Sequence, residues 1–360
     1  MSVLNIVLLS FTGLAALDRI FGSRLGLGRE FDRAFQLMGV MVLSMIGMIV
    51  LAPALGVWLK PLFEGFYSLF HIDPSVIPAS LFANDMGGAS LALELARDGR
   101  VGAFNAYVVS SMMGCVISFT IPFAVGIVPS GQHREMFLGF LYGIVTIPIG
   151  CAVSGLLSGL TLVQVLLDLL PLLLISGIIA AGLVFAPERS VRLFSLFGKA
   201  MTVMITLGLV LGIIGFRLEK PILAELDTLE NGAWICLSAC VTLSGAFPLM
   251  YVVGRILHRP MELLGKRLGI NGTSALALIP TLVTSATAFG MMRDMDQKGV
   301  VLNSAFAVSA AFVFGSHLGF TMAFDDAYIL PMIVGKLVAG ISALVLALFL
   351  YHENPNASLS

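Results

Sequence analysis

The sequence predicts an all-α polytopic membrane protein, and three observations lead to that fold class. Hydrophobic residues make up 58% of the 360 residues and charged residues only 11%, with a mean hydropathy of +1.00. A soluble domain carries about 25% charged residues, so this chain has too few to cover a water-facing surface. Apolar stretches of membrane-crossing length recur along the chain, and there are no long basic tracts that would indicate a nucleic-acid partner.

Nine apolar segments are long enough to cross a bilayer as helices, because a span takes about 20 residues. In chain order the predicted spans are 2–18, 37–58, 101–128, 136–157, 162–186, 190–216, 232–256, 300–321 and 327–351.

Two further apolar segments, 74–96 and 272–292, differ from the spans. The first carries Asn84, Asp85 and a pair of glycines at its middle, which divides it into halves of about 10 residues that are too short to cross. Non-helical backbone at membrane depth is tolerated only where it is buried in protein or lines a wet cavity. Both segments are therefore predicted to be re-entrant hairpins.

An internal repeat supports this arrangement. A shift of 198 positions superposes four pairs of identical residues: Arg19 on Arg217, Ile72 on Ile270, Asn105 on Asn303 and Ser111 on Ser309. The predicted organisation is a first membrane repeat at 1–160 with hairpin 74–96, a connecting transmembrane helix at 161–188, a second repeat at 189–351 with hairpin 272–292, and a short polar tail at 352–360.

The distribution of Lys and Arg among the loops distinguishes two topologies. If the two hairpin segments do not cross, 14 basic residues lie on one side and 5 on the other; if both cross, the division is 10 against 9. The positive-inside rule favours the first topology, with the N-terminus outside and the C-terminus inside. Five crossings then separate the two repeats, so the repeats are inverted, as in many secondary transporters.

Three titratable residues lie deep in apolar segments: Asp85, His317 and Lys336. An intramembrane charge costs at least ~2.5–3.5 kcal/mol on insertion scales, so such residues point to function. Asp85 suits an ammonium group or a metal cation, or alternatively pairs with Lys336. His317 either relays protons or is a buried neutral histidine. Asp168 lies near the start of its span and is expected at the membrane interface.

Other polar residues complete the predicted site. The predicted substrate-binding residues are Asp85, Asn84, Thr284, Ser285, Ser316, His317, Asn105 and Asn303, with Gly87, Gly88 and Lys336 in structural or coupling roles. Phe82, Phe289 and Phe314 are candidates for cation–π contact with an ammonium, although aromatic packing is the simpler explanation.

Enzymatic chemistry finds little support in the sequence. An aspartyl intramembrane protease needs two facing acids, and only Asp85 is central. Ser316 and His317 are adjacent, so on a helix they point about 100° apart, which does not suit a nucleophile and its base. The four cysteines form neither a zinc spacing nor a disulfide framework, so no metal site or cofactor is expected.

Seven stretches carry a resemblance to a known family. They are DMGGASLALELA (85–96), SSMMG (110–114), GIVTIPIGC (143–151), AFGMMRDMDQKG (288–299), NSAFAVSAAF (303–312), HLGF (317–320) and PMIVGKL (331–337). The sequence resembles the ethanolamine permeases of the ethanolamine-utilization system (EutH-type) from about residue 15 to 350. The resemblance implies a multi-pass carrier of the bacterial inner membrane that takes up ethanolamine for catabolism.

The chain departs from the family pattern at polar positions. Thr284 and Ser285 stand where the family has paired asparagines, Ser316 where an Asp precedes the histidine, and Asn84 where a cysteine precedes Asp85. These departures leave open which small amine is carried. The alternative is an ion-coupled carrier for another small polar solute, such as a nucleoside or organic acid. The expected partners are a small-molecule substrate, the lipid bilayer and a second copy of the chain, with H⁺ or Na⁺ as the coupling ion.

Overall fold

The computed structural model describes residues 3–351, and every regular element in that range is helical. The predicted polar tail 352–360 lies outside the described residues. The α-helices are α1 (Val3–Ile20), α2 (Leu27–Gln36), α3 (Met38–Met41), α4 (Gly47–Phe70), α5 (Val76–Leu81), α6 (Gly88–Leu95), α7 (Gly99–Phe104), α8 (Ile121–Ile127), α9 (His133–Leu157), α10 (Leu162–Phe185), α11 (Pro187–Arg217), α12 (Leu229–Leu268), α13 (Gly272–Thr281), α14 (Ser285–Met291), α15 (Gln297–Ala310), α16 (Ser316–Phe324) and α17 (Ile329–Leu350). Shorter segments join them: π-helical Val42–Ile46, Asn105–Gly114 and Val116–Thr120, and 3₁₀ turns Asn84–Met86, Ser130–Gln132, Met292–Asp294 and Asp326–Tyr328.

Eight helical stretches of the described chain are long and apolar enough to cross a membrane. They are Val3–Ile20, Leu27–Phe70, Gly99–Ile127, Ser130–Leu157, Leu162–Phe185, Pro187–Arg217, Leu229–Leu268 and Asp326–Leu350. The prediction of a polytopic helical membrane protein is confirmed, and eight of the nine predicted spans fall on these stretches.

The ninth predicted span, 300–321, is not one continuous helix. α15 ends at Ala310 and α16 begins at Ser316, with Phe312 in the left-handed region (φ 63°) between them. The amides of Phe312 and Phe314 donate to the carbonyls of Thr281 and Leu282, at 3.3 and 2.8 Å. The break is stable because another part of the chain supplies the acceptors that a continuous helix would have supplied.

The surface of this molecule is unlike that of a soluble protein. The outer faces of α10 and α11 expose large apolar side chains such as Leu173, Leu174 and Leu207, while charged and polar groups such as Asp168 and Lys336 are buried inside. An apolar surface of this extent needs lipid to cover it. Asp168, which was predicted to lie at the membrane interface, is only 3% exposed and is therefore enclosed by protein.

The segment 74–96, called here the first hairpin segment, is two short helices with a break between them. α5 ends at Leu81, residues Phe82 and Ala83 are extended, and α6 starts after Gly87. The Asp73 carboxylate accepts hydrogen bonds from the backbone amides of Arg97 and Asp98, both at 3.0 Å. The two ends of the segment therefore lie together.

The segment 272–292, called here the second hairpin segment, is built the same way from α13 and α14. At its ends, Asp296 Oδ1 accepts from the Asn271 amide at 2.9 Å and from the Ser274 hydroxyl at 2.6 Å. Asn271 Nδ2 also donates to the Asp294 carbonyl at 2.9 Å. In both hairpin segments, one aspartate holds the entry and the exit of the chain together.

Candidate functional site

The middles of the two hairpin segments meet at one interior cavity of about 440 Å³. The first contributes Ala83, Asp85 and Met86, and the second contributes Val283, Thr284, Ala286 and Thr287. The other lining residues are Arg33, Leu37, Val40, Met41, Ser44, Cys115, Phe119, Leu243, Phe247, Phe312, Ser316 and His317. The structure thus brings together four of the predicted site residues, Asp85, Thr284, Ser316 and His317.

Asp85 is placed in the cavity by the backbone at the break of the first hairpin segment. It lies in the 3₁₀ turn Asn84–Met86, and Asn84 Oδ1 accepts a hydrogen bond from its amide at 2.9 Å. Gly87 follows in the left-handed conformation (φ 95°), which glycine adopts readily. A Cβ on Gly88 would lie 2.0 Å from the Phe82 carbonyl oxygen, so only glycine allows this close backbone approach.

Behind Asp85 lies a chain of polar groups drawn from four parts of the structure. Asp85 Oδ1 is 3.8 Å from His317 Nε2 on α16, and His317 Nδ1 is 3.2 Å from Lys336 Nζ on α17. Lys336 Nζ also donates to the Ser111 carbonyl at 2.5 Å. Both His317 and Lys336 are about 1% exposed.

The contact with the Lys336 ammonium indicates which nitrogen of His317 carries the hydrogen. An ammonium has only donors, so His317 Nδ1 accepts and Nε2 carries the hydrogen that faces Asp85. The neutral imidazole therefore lies between one acid and one base, in hydrogen-bond contact with Lys336 and 3.8 Å from Asp85. A lone buried charge is costly, so the opposite charge of Lys336 near Asp85 lowers the cost of burying both groups.

The second hairpin segment brings hydroxyl groups to the cavity in place of a charge. Thr284 lines the cavity, and its hydroxyl accepts from the Ala286 amide at 3.3 Å. Ser285 is fully buried and its hydroxyl has no partner among residues 3–351. The side-chain nitrogen of buried Asn84 likewise has no partner in the described chain. Ser316 is the first residue of α16 and lines the same cavity.

Asn105 and Asn303 lie away from this cavity, at the ends of the hairpin segments. Asn105 Nδ2 donates to the Ser75 hydroxyl at 2.9 Å, beside the start of α5. Asn303 Nδ2 donates to the carbonyls of Ser274 and Gly299, at 2.8 and 3.0 Å. Both side chains connect a hairpin segment to the helix that follows it.

The aromatic residues around the cavity differ from those singled out in the sequence. Phe82 stacks on Phe197 at 5.5 Å between ring centroids, and Phe289 packs on Phe140 at 6.1 Å. Phe119, Phe247 and Phe312 line the cavity instead. Phe119 lies on a π-helical segment, Phe247 on α12 and Phe312 in the break after α15. No sequence pattern marked these three as cavity residues.

Arg33, which is not among the predicted site residues, lies at the mouth of the interior cavity. It lines both the interior cavity and a second cavity of about 340 Å³ whose lining includes Arg255 and His258. The Arg33 guanidinium lies 5.5 Å from the Phe247 ring centre and 3.4 Å from a Glu30 oxygen. The interior cavity therefore continues towards the part of the surface that carries Arg255 and His258.

The apolar exterior, the eight long helices and the interior cavity that holds Asp85 and His317 define a multi-pass membrane protein of the kind that handles a small solute. This chain belongs to the family described as "Ethanolamine utilisation protein, EutH", whose sequence model matches residues 2–350. It is thus a multi-pass bacterial membrane protein of a permease family and not an enzyme.

Curated relatives cover almost the whole chain. It is 40% identical over 343 residues to a protein of Listeria monocytogenes named "Probable ethanolamine permease EutH", covering 95% of this chain and 92% of the relative. Proteins with the same name from Salmonella typhimurium and Escherichia coli are 35% and 36% identical, covering 99% and 97% of this chain and 97% and 95% of their own lengths. No solved structure matches the chain.

Proposed function

We propose that this protein is a permease that carries ethanolamine, or a closely related small amine, into the bacterial cell for catabolism. The observation that carries the proposal is Asp85, a carboxylate that faces an interior cavity lined mostly by apolar side chains. The relatives named as probable ethanolamine permeases support the same substrate class.

The charge balance of the site suits a cationic substrate. The Asp85 carboxylate lines the cavity, whereas Lys336 lies behind His317 and does not line it. A primary amine titrates near pH 10, so ethanolamine is an ammonium ion at neutral pH and crosses lipid poorly. Its ammonium group would pair with Asp85, and its hydroxyl would bond to Thr284 or Ser316 on the facing wall.

The proposed topology is nine crossings with two re-entrant hairpins in inverted repeats. The bonded ends of each hairpin segment support a chain that enters and leaves on one side. The interrupted helix α15–α16 is the ninth crossing. The 14-to-5 division of Lys and Arg places the ends of the second hairpin segment inside the cell and those of the first outside.

The cavity is proposed to be open to the cell interior in this conformation. Arg33 joins it to the second cavity, which is lined by Arg255 and His258. By the positive-inside rule that side faces the cytoplasm. Glu30 also lines the second cavity and lies 3.4 Å from Arg33, so charges of both signs face the solute where it leaves.

Uptake of labelled ethanolamine into proteoliposomes tests the proposal, with wild-type protein beside Asp85→Asn. We expect saturable uptake by the wild type and its loss in Asp85→Asn, whose side chain keeps the same shape without the charge. Competition by unlabelled small amines, but not by nucleosides or organic acids, is expected for the wild type. A folded wild-type protein that takes up no amine contradicts the proposal.

A further inference from the structure

A third, polar cavity lies at the ends of the first hairpin segment and shares no lining residue with the cavity that holds Asp85. It has a volume of about 240 Å³, and its lining includes Asp73, Asp98 and Asp168 together with Arg97 and Gln164. The proposed transport path does not use it. The three carboxylates on this cavity need hydrogen-bond donors or positive charge to offset their negative charge.

Two of the three acids are fully engaged by the protein. Asp73 accepts four hydrogen bonds, from the amides of Ser75, Arg97 and Asp98 and from the Ser75 hydroxyl. Asp98 accepts from two amides at the start of α7 and, at 3.1 Å, from Gln164 Nε2. Neither carboxylate needs a further ligand.

Asp168 is different. It lies on α10 and is only 3% exposed, and its Oδ2 has no hydrogen-bond partner in the described part of the chain. No basic side chain among residues 3–351 lies within 4.0 Å of it, because the ion pairs of that range all lie elsewhere. The Asn105 side-chain amide is the one donor that reaches this carboxylate in the described chain, and a buried carboxylate with an unpaired oxygen and no counterion is destabilising.

A second unpartnered oxygen lies beside it. The Asn105 amide neighbours the Asp168 carboxylate, and Asn105 Oδ1 is buried and unbonded within the described residues while Nδ2 donates to Ser75. A carboxylate oxygen and an amide oxygen that both lack a donor are the ligand types of a hard cation.

We propose that Asp168 and Asn105 hold a small monovalent cation at the ends of the first hairpin segment, with Na⁺ as the reference ion. The ion is expected to carry a single positive charge, since Asp168 is the only one of the three carboxylates that the protein leaves without full hydrogen bonding. The bound cation would connect α10 to the base of the first hairpin segment.

Arg97 is the competing source of positive charge. It lines the same cavity, but its guanidinium lies over the Tyr67 ring, 4.2 Å from the ring centre. If Arg97 left this ring to pair with Asp168, added cations would have no specific effect. The experiment below separates these two cases.

The test is the thermal unfolding midpoint of the purified protein in detergent, in chloride salts of Na⁺, Li⁺, K⁺ and ammonium, against N-methyl-D-glucamine at equal ionic strength. Binding to the folded state alone raises the midpoint as the ligand concentration rises. We expect a saturable rise of a few degrees with at least one small cation, and its complete loss in Asp168→Asn.

Asp18→Asn is the matched control. Asp18 is also a buried acid, but the Leu25 and Gly28 amides donate to its two oxygens, both at 2.9 Å, so the cation response should be unchanged in that variant. Asp168→Glu keeps the charge and displaces the oxygen, so half-saturation should need about tenfold more cation.

Absence of a cation-specific rise in the wild type overturns the proposal, and so does a rise of equal size in Asp168→Asn. Should Asp168→Asn fail to fold, an unchanged half-saturation in Asp168→Glu overturns it instead. No ethanolamine uptake is measured in this experiment, so its failure leaves the proposed transport activity untouched.

Discussion

The two hairpin segments share a framework but differ in what they bring to the cavity. Each is a pair of short helices whose ends are held by one aspartate, Asp73 in the first and Asp296 in the second. At the middle, the first presents Asp85 and the second presents the hydroxyl of Thr284. The ends of the segments thus keep a common structural role, while the middles diverge to give one charged wall and one neutral wall.

The two hairpin segments also differ in how closely their glycines are packed. A Cβ on Gly88 would lie 2.0 Å from the Phe82 carbonyl oxygen, whereas a Cβ on Gly290 of α14 would meet nothing within 4 Å. Close backbone packing therefore holds Gly88 at the charged wall, whereas Gly290, near the end of α14, lies in open space. An ion-pairing group needs this precision, because its energy depends on a fixed position relative to the substrate.

The largest expected difference between the hairpin segments is the side of the membrane from which their ends are reached. Gly99 and Gly272 both adjoin these ends and have free space for a side chain. In a background without the native cysteines, an impermeant thiol reagent should label Gly99→Cys only from outside the cell and Gly272→Cys only from inside. Labelling of both from one side would contradict the inverted arrangement.

The next largest difference concerns the two walls of the cavity. Asp85→Asn removes the charge that pairs with the ammonium, and loss of one partner of a buried pair costs about 3 kcal/mol or more, roughly 100-fold in uptake. Thr284→Val, of the same shape, should change uptake only about tenfold or less. Initial rates of labelled ethanolamine uptake measure both, and equal effects would remove the distinction between the walls.

A smaller difference is expected for added methyl groups. Gly88→Ala forces the first hairpin segment apart and should cost about 1–3 kcal/mol of stability. Gly290→Ala meets open space in a helix and should be neutral or stabilising by up to about 1 kcal/mol. Thermal unfolding of the purified variants checks this, and a Gly88→Ala protein as stable as the wild type would show that the middle of the first segment is loosely packed.

No difference is expected between the two aspartates at the ends of the segments. Asp73→Ala and Asp296→Ala each leave backbone amides without an acceptor, at a cost of about 1–3 kcal/mol. Their unfolding midpoints should fall by similar amounts. A large fall for one and none for the other would mean that the two frameworks are not equivalent.

Much of the fold could be predicted from composition and local pattern. Eight predicted spans lie on long apolar helices because a continuous run of apolar residues in lipid can satisfy its backbone only as a helix. The break in the first hairpin segment was visible in the sequence, since Asn84, Asp85 and two glycines interrupt an apolar run.

The break at 311–315 was not visible in the same way. The predicted span 300–321 has no proline and reads as continuous, yet the Phe312 and Phe314 amides turn to the carbonyls of Thr281 and Leu282. Those acceptors are about 30 residues distant in the chain. A pattern within one segment holds no information about such partners.

The candidate site was predictable in part. Asp85, His317 and Lys336 stood out because charged and titratable groups are rare in apolar segments, and the structure places them in one connected chain. The burial of Asp168 and the position of Arg33 at the cavity mouth were not predictable, since both residues lie near segment ends where sequence alone indicates solvent.

The sequence by itself determined that this protein spans a membrane and where most of its helices lie. It also determined which charged and titratable residues are too costly to bury in apolar segments without a role. Those properties follow from the transfer energies of single side chains and of the backbone, which act locally. Only the tertiary structure decided that two distant segments meet at one cavity, that Lys336 reaches Asp85 through His317, and that Asn105 and Asn303 serve the hairpin ends. Those properties depend on which groups satisfy each other across the fold, a choice that packing makes and local sequence does not.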